Sequence, residues 1–173
     1  VTAVDISESR LLRVAENLKR LRLEAQLIAA DICAAAPPEP FDAVLLDAPC
    51  TATGTIRRHP DILRLKRESD VAALAALQAK MLDRAAAMLK PGGLLVYCTC
   101  SLEPEEGVEQ IERLLVRDAS LSRVPVSASE FDGDPAWITA AGDLRTLPFH
   151  AVGANTTITG LDGFYDARLR KAA

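Results

Sequence analysis

The sequence predicts an α/β domain of the doubly wound kind: a mostly parallel sheet with helices on both faces and an antiparallel strand near its C-terminal end. Three observations carry that expectation. Short apolar runs alternate with amphipathic stretches in the order β-α-β, β-α, β-α. The run Val44, Leu45, Leu46 is continuous, as suits a strand buried on both faces of a parallel sheet. The last segment, GFYDARLRK, has the alternating character of an antiparallel strand. With 173 residues, 49% apolar and 25% charged, the chain suffices for a single domain over residues 1–173 with a hydrophobic core.

The elements follow in order. VTAVDI is a short strand ending in Asp5, and Ser7 with Glu8 supply an N-cap and a first-turn carboxylate for the helix after it. From Leu11 to Leu23 apolar residues recur at helical spacing between Arg10, Arg13, Glu16, Lys19, Arg20 and Arg22, which makes an amphipathic surface helix. AQLIAAD is a second strand ending in Asp31, and AAAPPEP can continue neither helix nor strand. FDAVLLD is the third strand, again ending in an acid, Asp47. Asp70 to Leu89 has good helix propensity and is stopped by Pro91-Gly92-Gly93. LLVYCTC is the next strand. Ser101 and Pro104 then open a helix with Glu103, Glu105 and Glu106 in its first turn and Val108, Ile111, Leu114 and Leu115 on its buried face. Beyond Leu121 the pattern loosens into short strands and loops containing Gly133, Gly142 and Gly153.

Several function classes are disfavoured at once. No apolar run reaches the roughly 18 residues of a membrane span, and VTAVDIS has no signal-peptide pattern, so no membrane association and a cytoplasmic location are expected. Asn155 to Thr157 then matches a glycosylation pattern that a cytoplasmic protein would not use. Cys33, Cys50, Cys98 and Cys100 show no knuckle spacing, so free thiols are expected rather than disulfides, and no metal site. A net charge of -4 offers no bulk attraction to nucleic acid, which leaves any such binding to a local basic patch. Arg57, Arg58, His59, Arg64, Lys66 and Arg67 form one in the long loop after Cys50.

Ligands of doubly wound sheets sit at the carboxyl ends of the strands, where Asp5, Asp31, Asp47 and Cys100 fall. Each has two readings. Asp5 either accepts hydrogen bonds from ribose hydroxyls or caps the helix that follows it. Asp31 is a turn acid or a second acceptor on the same rim. Cys33 and Cys98 are read as small buried hydrophobes, and Cys50 and Cys100 share that alternative. Cys100, however, stands just ahead of an expected helix N-terminus, where the dipole favours the thiolate, so it is also a candidate nucleophile. The basic loop is a solvated charge run or a phosphate holder. His150 is read as packing or surface.

Three stretches, FDAVLLDAPCTATGTIRRHPDI, LVYCTCSLEPEE and DGFYDARL, closely resemble the RNA 5-methylcytosine methyltransferases of the Nop/Sun family, nearest its bacterial small-subunit ribosomal RNA branch. The likeness runs through nearly the whole chain and is loose only around Ser127 to Asp143.

The resemblance implies a Rossmann-like fold of the class I S-adenosylmethionine-dependent methyltransferases, with S-adenosylmethionine as cofactor and RNA, most specifically 16S ribosomal RNA, as partner. It implies a thiolate that adds to carbon 6 of cytosine so that carbon 5 can accept the methyl group. Cys100 in Thr-Cys-Ser would be that nucleophile. Cys50 in Asp-Ala-Pro-Cys would assist release of the methylated base, and Asp47 would bond the cytosine edge near the cofactor. Asp5 would take the ribose and Asp31 the adenine, with Arg10 a nearby contact. Arg57, Arg58 and His59 would hold RNA whose target base is turned out of its stack. The family's first strand and glycine-rich loop are expected to precede Val1, so the chain is expected to lack them and to bind cofactor weakly by itself. Two alternatives stay open: a noncatalytic RNA-binding remnant, and a methyltransferase acting on transfer RNA or on DNA cytosine. The DNA enzymes place their nucleophile in Pro-Cys, which would promote Cys50 over Cys100.

Overall fold

The computed structural model describes residues 1–34, 39–130, 134–150 and 160–173. Gly133, Gly153 and the Asn155 to Thr157 pattern therefore lie outside the described residues. The chain divides into two compact units, Val1–Glu39 and Pro40–Ala173.

In the first unit, strand β1 (Thr2–Asp5) is followed by helix α1 (Glu8–Leu21) and strand β2 (Gln26–Ala29). The two strands pair in parallel from Thr2 opposite Gln26 to Asp5 opposite Ala29, so their carboxyl ends share one rim. Helix α1 begins where Ser7 was expected to cap it. The Ser7 side chain accepts the Arg10 N–H, Glu8 lies in the first turn, and Lys19 and Arg20 complement the dipole in the last. The helix stops at Arg22, whose left-handed φ of 56° lets its N–H reach the carbonyls of Leu18 and Lys19. Of the expected apolar stripe, only Leu11 is buried, while Leu12, Leu21 and Leu23 remain exposed.

The second unit holds strands β3 (Phe41–Asp47) and β4 (Leu89–Thr99), with helices α2 (Ile62–Leu65) and α3 (Glu68–Ala87) between them. Helix α4 (Val108–Arg117) and strands β5 (Leu121–Arg123), β6 (Leu144–Thr146) and β7 (Phe164–Lys171) follow. β3 pairs β4 in parallel; β7 runs antiparallel to β4 on its other side and receives β5 and β6, also antiparallel, along its far edge. The expected antiparallel C-terminal strand is therefore present. The core lies between this sheet and helices α3 and α4, on Leu82, Ala85, Leu95, Tyr97, Ile111, Leu114, Tyr165, Ala167 and Leu169. These residues come from the face of each element that period 2 or 3.6 turns inward.

Three expectations need correction. First, Pro91-Gly92-Gly93 does not terminate α3, which has ended at Ala87. The triplet lies within β4, where the partner of β3 jumps from Leu89 to Leu94 and Gly92 takes a φ of 77°. It is a bulge, for which a glycine at positive φ is suited. Second, Pro104–Glu106 form a 3-10 turn and α4 starts only after Gly107, because the Glu106 side chain turns into the core instead of lining a first helical turn. Third, β3 is not buried on both faces. Leu45 is 70% exposed, and β3 has a strand partner on one edge only among the described residues.

Candidate active site

Two loops meet at the carboxyl end of the β3–β4 pair. The first leaves β3 at Asp47 and passes through Ala48, Pro49 and Cys50; the second leaves β4 at Thr99 and carries Cys100. Parallel pairing puts both exits on one rim, and the N–H of Ala48 continues the pairing to the Cys98 carbonyl at 3.1 Å. Further bonds hold the loops together. Gly54 donates to the Cys100 carbonyl at 3.0 Å, and Gly163, just before β7, donates to the Gly54 carbonyl at 2.8 Å. Thr53 Oγ1 accepts the Leu102 N–H at 2.9 Å.

The outcome is a pair of half-buried thiols. Cys50 Sγ and Cys100 Sγ stand 3.5 Å apart, within reach of a sulfur hydrogen bond. The pair splits electrostatically. The Cys50 hydrogen bond brings Cys100 down to about 7 from its usual value of 9.0, against an opposing effect of burial. The same bond to Cys100, then burial, raises Cys50. The arrangement suits one ionised sulfur with the other as its donor. The cause differs from the expected one: Cys100 precedes a 3-10 turn rather than an α-helix, and a neighbouring thiol, not a helix dipole, stabilises its charge. Cys98 points elsewhere, is buried and is pushed up to about 12 by burial first and then by Asp47, so it is the inert hydrophobe expected of it. Cys33 is only partly buried and departs from that expectation.

The remaining candidates fall into two groups. Asp47, the last residue of β3, is exposed; its carboxylate lies 3.9 Å from Cys98 Sγ and its charge opposes ionisation of Cys100. Arg57, Arg58 and His59 are exposed in the loop after Cys50. Arg58 is already engaged, its Nε donating to Asp162 Oδ2 at 2.6 Å, and Arg57 lies 4.0 Å from the same carboxylate. Arg58 also feels the charge of Cys100. In the first unit, Asp5 accepts Ser7 N–H at 2.7 Å and both Nε and Nη2 of Arg10, at 2.7 and 2.6 Å. These partners, Arg10 foremost, hold its carboxyl below the usual range. Asp5 therefore does not cap α1 itself, a role Ser7 takes; it holds the Ser7 N–H and stays ionised at the strand rim. Asp31, two residues past β2, accepts Cys33 N–H at 2.8 Å. His150 stacks on Trp137 with ring centroids 6.3 Å apart.

The sequence reading missed the roles of Glu106, with its partners Thr51 and Gln78, and of Arg145. Glu106, counted as a first-turn acid, accepts bonds from Thr51 and Gln78 in the interior. Arg145 donates to the carbonyls of Ser101 and Leu102 at 2.9 and 2.8 Å, which fixes the loop after Cys100. Only the acid run after a proline and the lone arginine in LRT could have hinted at them.

Among the described residues no helix is long and apolar enough to cross a membrane. The 16S rRNA methyltransferase RsmB/F family matches residues 1–170. The ribosomal RNA small subunit methyltransferase B of Vibrio vulnificus is 55% identical over 123 residues, which are 68% of this chain and 28% of that protein. Its namesake in Pseudomonas syringae pv. tomato is 44% identical over 100% of this chain and 37% of its own length. The chain thus spans about a third of the curated relatives it matches. The crystal structure of NSun6 from Pyrococcus horikoshii with SFG superposes with a TM-score of 0.80 at 28% identity, over 99% of this chain and 41% of that one. A mixed sheet of Rossmann-like methyltransferase type, two thiols at the end of its adjacent parallel strands, and a match over nearly every residue lead to one conclusion: the chain belongs to the 16S rRNA methyltransferase RsmB/F family.

Proposed function

We propose that this chain supplies the catalytic portion of an enzyme that transfers a methyl group from S-adenosylmethionine to carbon 5 of a cytosine in small-subunit ribosomal RNA. The observation that carries the reading is the 3.5 Å Sγ to Sγ approach of two half-buried thiols at the ends of adjacent parallel strands. Carbon 5 of cytosine is a weak nucleophile until a thiolate has added at carbon 6. Cys100, its thiol the lower of the two, is suited to that addition near neutral pH. Its sulfur forms the bond to carbon 6 and the ring electrons move toward carbon 5. Once carbon 5 carries the methyl group, its proton passes to solvent, the electron pair of the broken C–H bond restores the ring double bond, and the carbon 6 to sulfur bond breaks to release the thiolate. Cys50, kept protonated beside it, stabilises the departing thiolate by hydrogen bonding.

The residues present fit the cofactor. Asp5 is held ionised at the rim of β1 and Asp31 lies at the neighbouring rim of β2, so both offer acceptors to hydroxyl or amine groups, and Arg10 orients Asp5. The cofactor, when bound, supplies the activated methyl group. Asp47 would bond the cytosine edge, and Arg57, Arg58 and His59 would face RNA, Asp162 keeping Arg58 in place.

The cysteine exchange tests the assignment in the active enzyme with RNA containing 5-fluorocytosine. Cys100→Ser is expected to abolish the denaturation-resistant adduct, and Cys50→Ser is expected to keep it. An adduct lost in Cys50→Ser and retained in Cys100→Ser would reverse the roles.

A further inference from the structure

Glu106 has no exposed surface, although it is an acid. Burying a carboxylate is costly unless hydrogen bonds replace its water. Here the donors come from two residues. Thr51 donates its N–H to both carboxylate oxygens, at 3.0 and 3.1 Å, and its hydroxyl to Oε2. Gln78 donates from Nε2 at 3.2 Å, and the same nitrogen donates to the Pro49 carbonyl at 2.8 Å. The chain is thereby gripped on both sides of Cys50, at Pro49 and at Thr51.

The grip is anchored from behind. The main-chain carbonyl of Glu106 accepts the hydroxyls of Tyr97 at 2.8 Å and Thr99 at 3.3 Å, both on β4, the strand that delivers Cys100. Gln78 belongs to α3 and is itself fully buried. The next residue after the gripped segment, Ala52, takes a left-handed φ of 60°, a conformation that a non-glycine residue holds only when its surroundings impose it. We infer that Glu106, seconded by Gln78, is a positioning residue that holds the Cys50 thiol against Cys100. This rests on the reading above, in which Cys50 serves release of the methylated base. It adds that a remote acid governs the placement of Cys50.

Glu106→Gln keeps the size of the side chain but places amide donors opposite the donors of Thr51 and Gln78. The first measurement needs neither RNA nor cofactor: the rate at which iodoacetamide alkylates Cys100, followed against pH by peptide mass spectrometry. Cys50→Ala is the reference for a lost S–H donor. Cys50→Ala is expected to move the Cys100 midpoint upward by about one pH unit or more, slowing alkylation roughly tenfold below that midpoint. The Glu106 charge itself opposes ionisation of Cys100, as that of Asp47 does, so Glu106→Gln is compared in two backgrounds: its effect on the midpoint should lie about one pH unit higher with Cys50 present than in Cys50→Ala, where only the charge is lost. In the second measurement, with RNA and methyl donor, Glu106→Gln should accumulate the protein–RNA adduct as Cys50→Ser does. An effect of Glu106→Gln on the midpoint that is the same with and without Cys50 overturns the inference. Normal turnover in Cys50→Ser with the alkylation shifts intact would instead overturn only the release role of Cys50. If Glu106→Gln does not fold, Thr51→Val removes the hydroxyl's bonds to Glu106 and Ser101 while keeping the Glu106 charge, and must shift the midpoint upward; an unchanged midpoint there counts equally against the inference.

Discussion

Two sulfur atoms 3.5 Å apart cannot readily both carry charge, so above about pH 7 the Cys50–Cys100 pair holds one proton. Because the lowered group is an acid that must be ionised to react, Cys100 reactivity rises with pH through about 7 and levels above it. The spacing depends on backbone packing as much as on the thiols. A Cβ added at Gly54 would lie 2.0 Å from the Gly163 carbonyl oxygen and 2.8 Å from that of Cys100. Backbone atoms cannot swing aside as a flexible side chain can, so the loops would have to part. Gly54→Ala is therefore expected to destabilise the fold by about 2 kcal/mol or more. A shift in the urea midpoint measures it, and a wild-type midpoint would refute the packing account. The glycines in TGT and DGF were visible in the sequence as part of its motifs, but their mutual contact was not, since they lie 109 positions apart (163 − 54).

At the scale of elements, strands were well marked and turns were not. Runs such as LLVYCTC declare themselves because several adjacent apolar side chains need burial, whichever partner provides it. The 3-10 turn at Pro104–Glu106 did not, because local composition favours a helix there and only the donors on Thr51 and Gln78 draw Glu106 inward. The loop after Cys100 has a similar distant support. Arg145 from β6 bonds two of its carbonyls, and its own burial lowers its pKa, so the guanidinium sits in a partly desolvated place. Arg145→Met would leave the carbonyls of Ser101 and Leu102 without those donors. It should cost about 1–3 kcal/mol in chemical denaturation and increase hydrogen exchange at Leu102 and Glu103. Loss of stability without local exchange would place the role of Arg145 elsewhere.

For the whole molecule the two units differ in what they can bury. Residues 1–39 bury only Leu11 among their described apolar side chains, whereas Pro40–Ala173 contain the continuous core. A segment that small lacks the apolar burial to offset its chain entropy. A peptide of residues 1–39 is therefore expected to be unfolded by circular dichroism, and residues 40–173 to unfold cooperatively with the Cys50–Cys100 pair intact by thiol alkylation. A folded peptide, or a non-cooperative larger fragment, would contradict this. The sequence by itself determined the alternating α/β order, the antiparallel last strand, the acids and thiols at strand ends, and the family, because periodicity and motif are local and survive in one dimension. Only the tertiary structure decided that Cys50 and Cys100 lie within hydrogen-bond reach, that Glu106 and Gln78 hold the Cys50 turn, and that Asp162 engages Arg58. Each of these depends on groups separated by tens of residues whose distance, and hence whose hydrogen bonding and charge, exists only once the chain has packed.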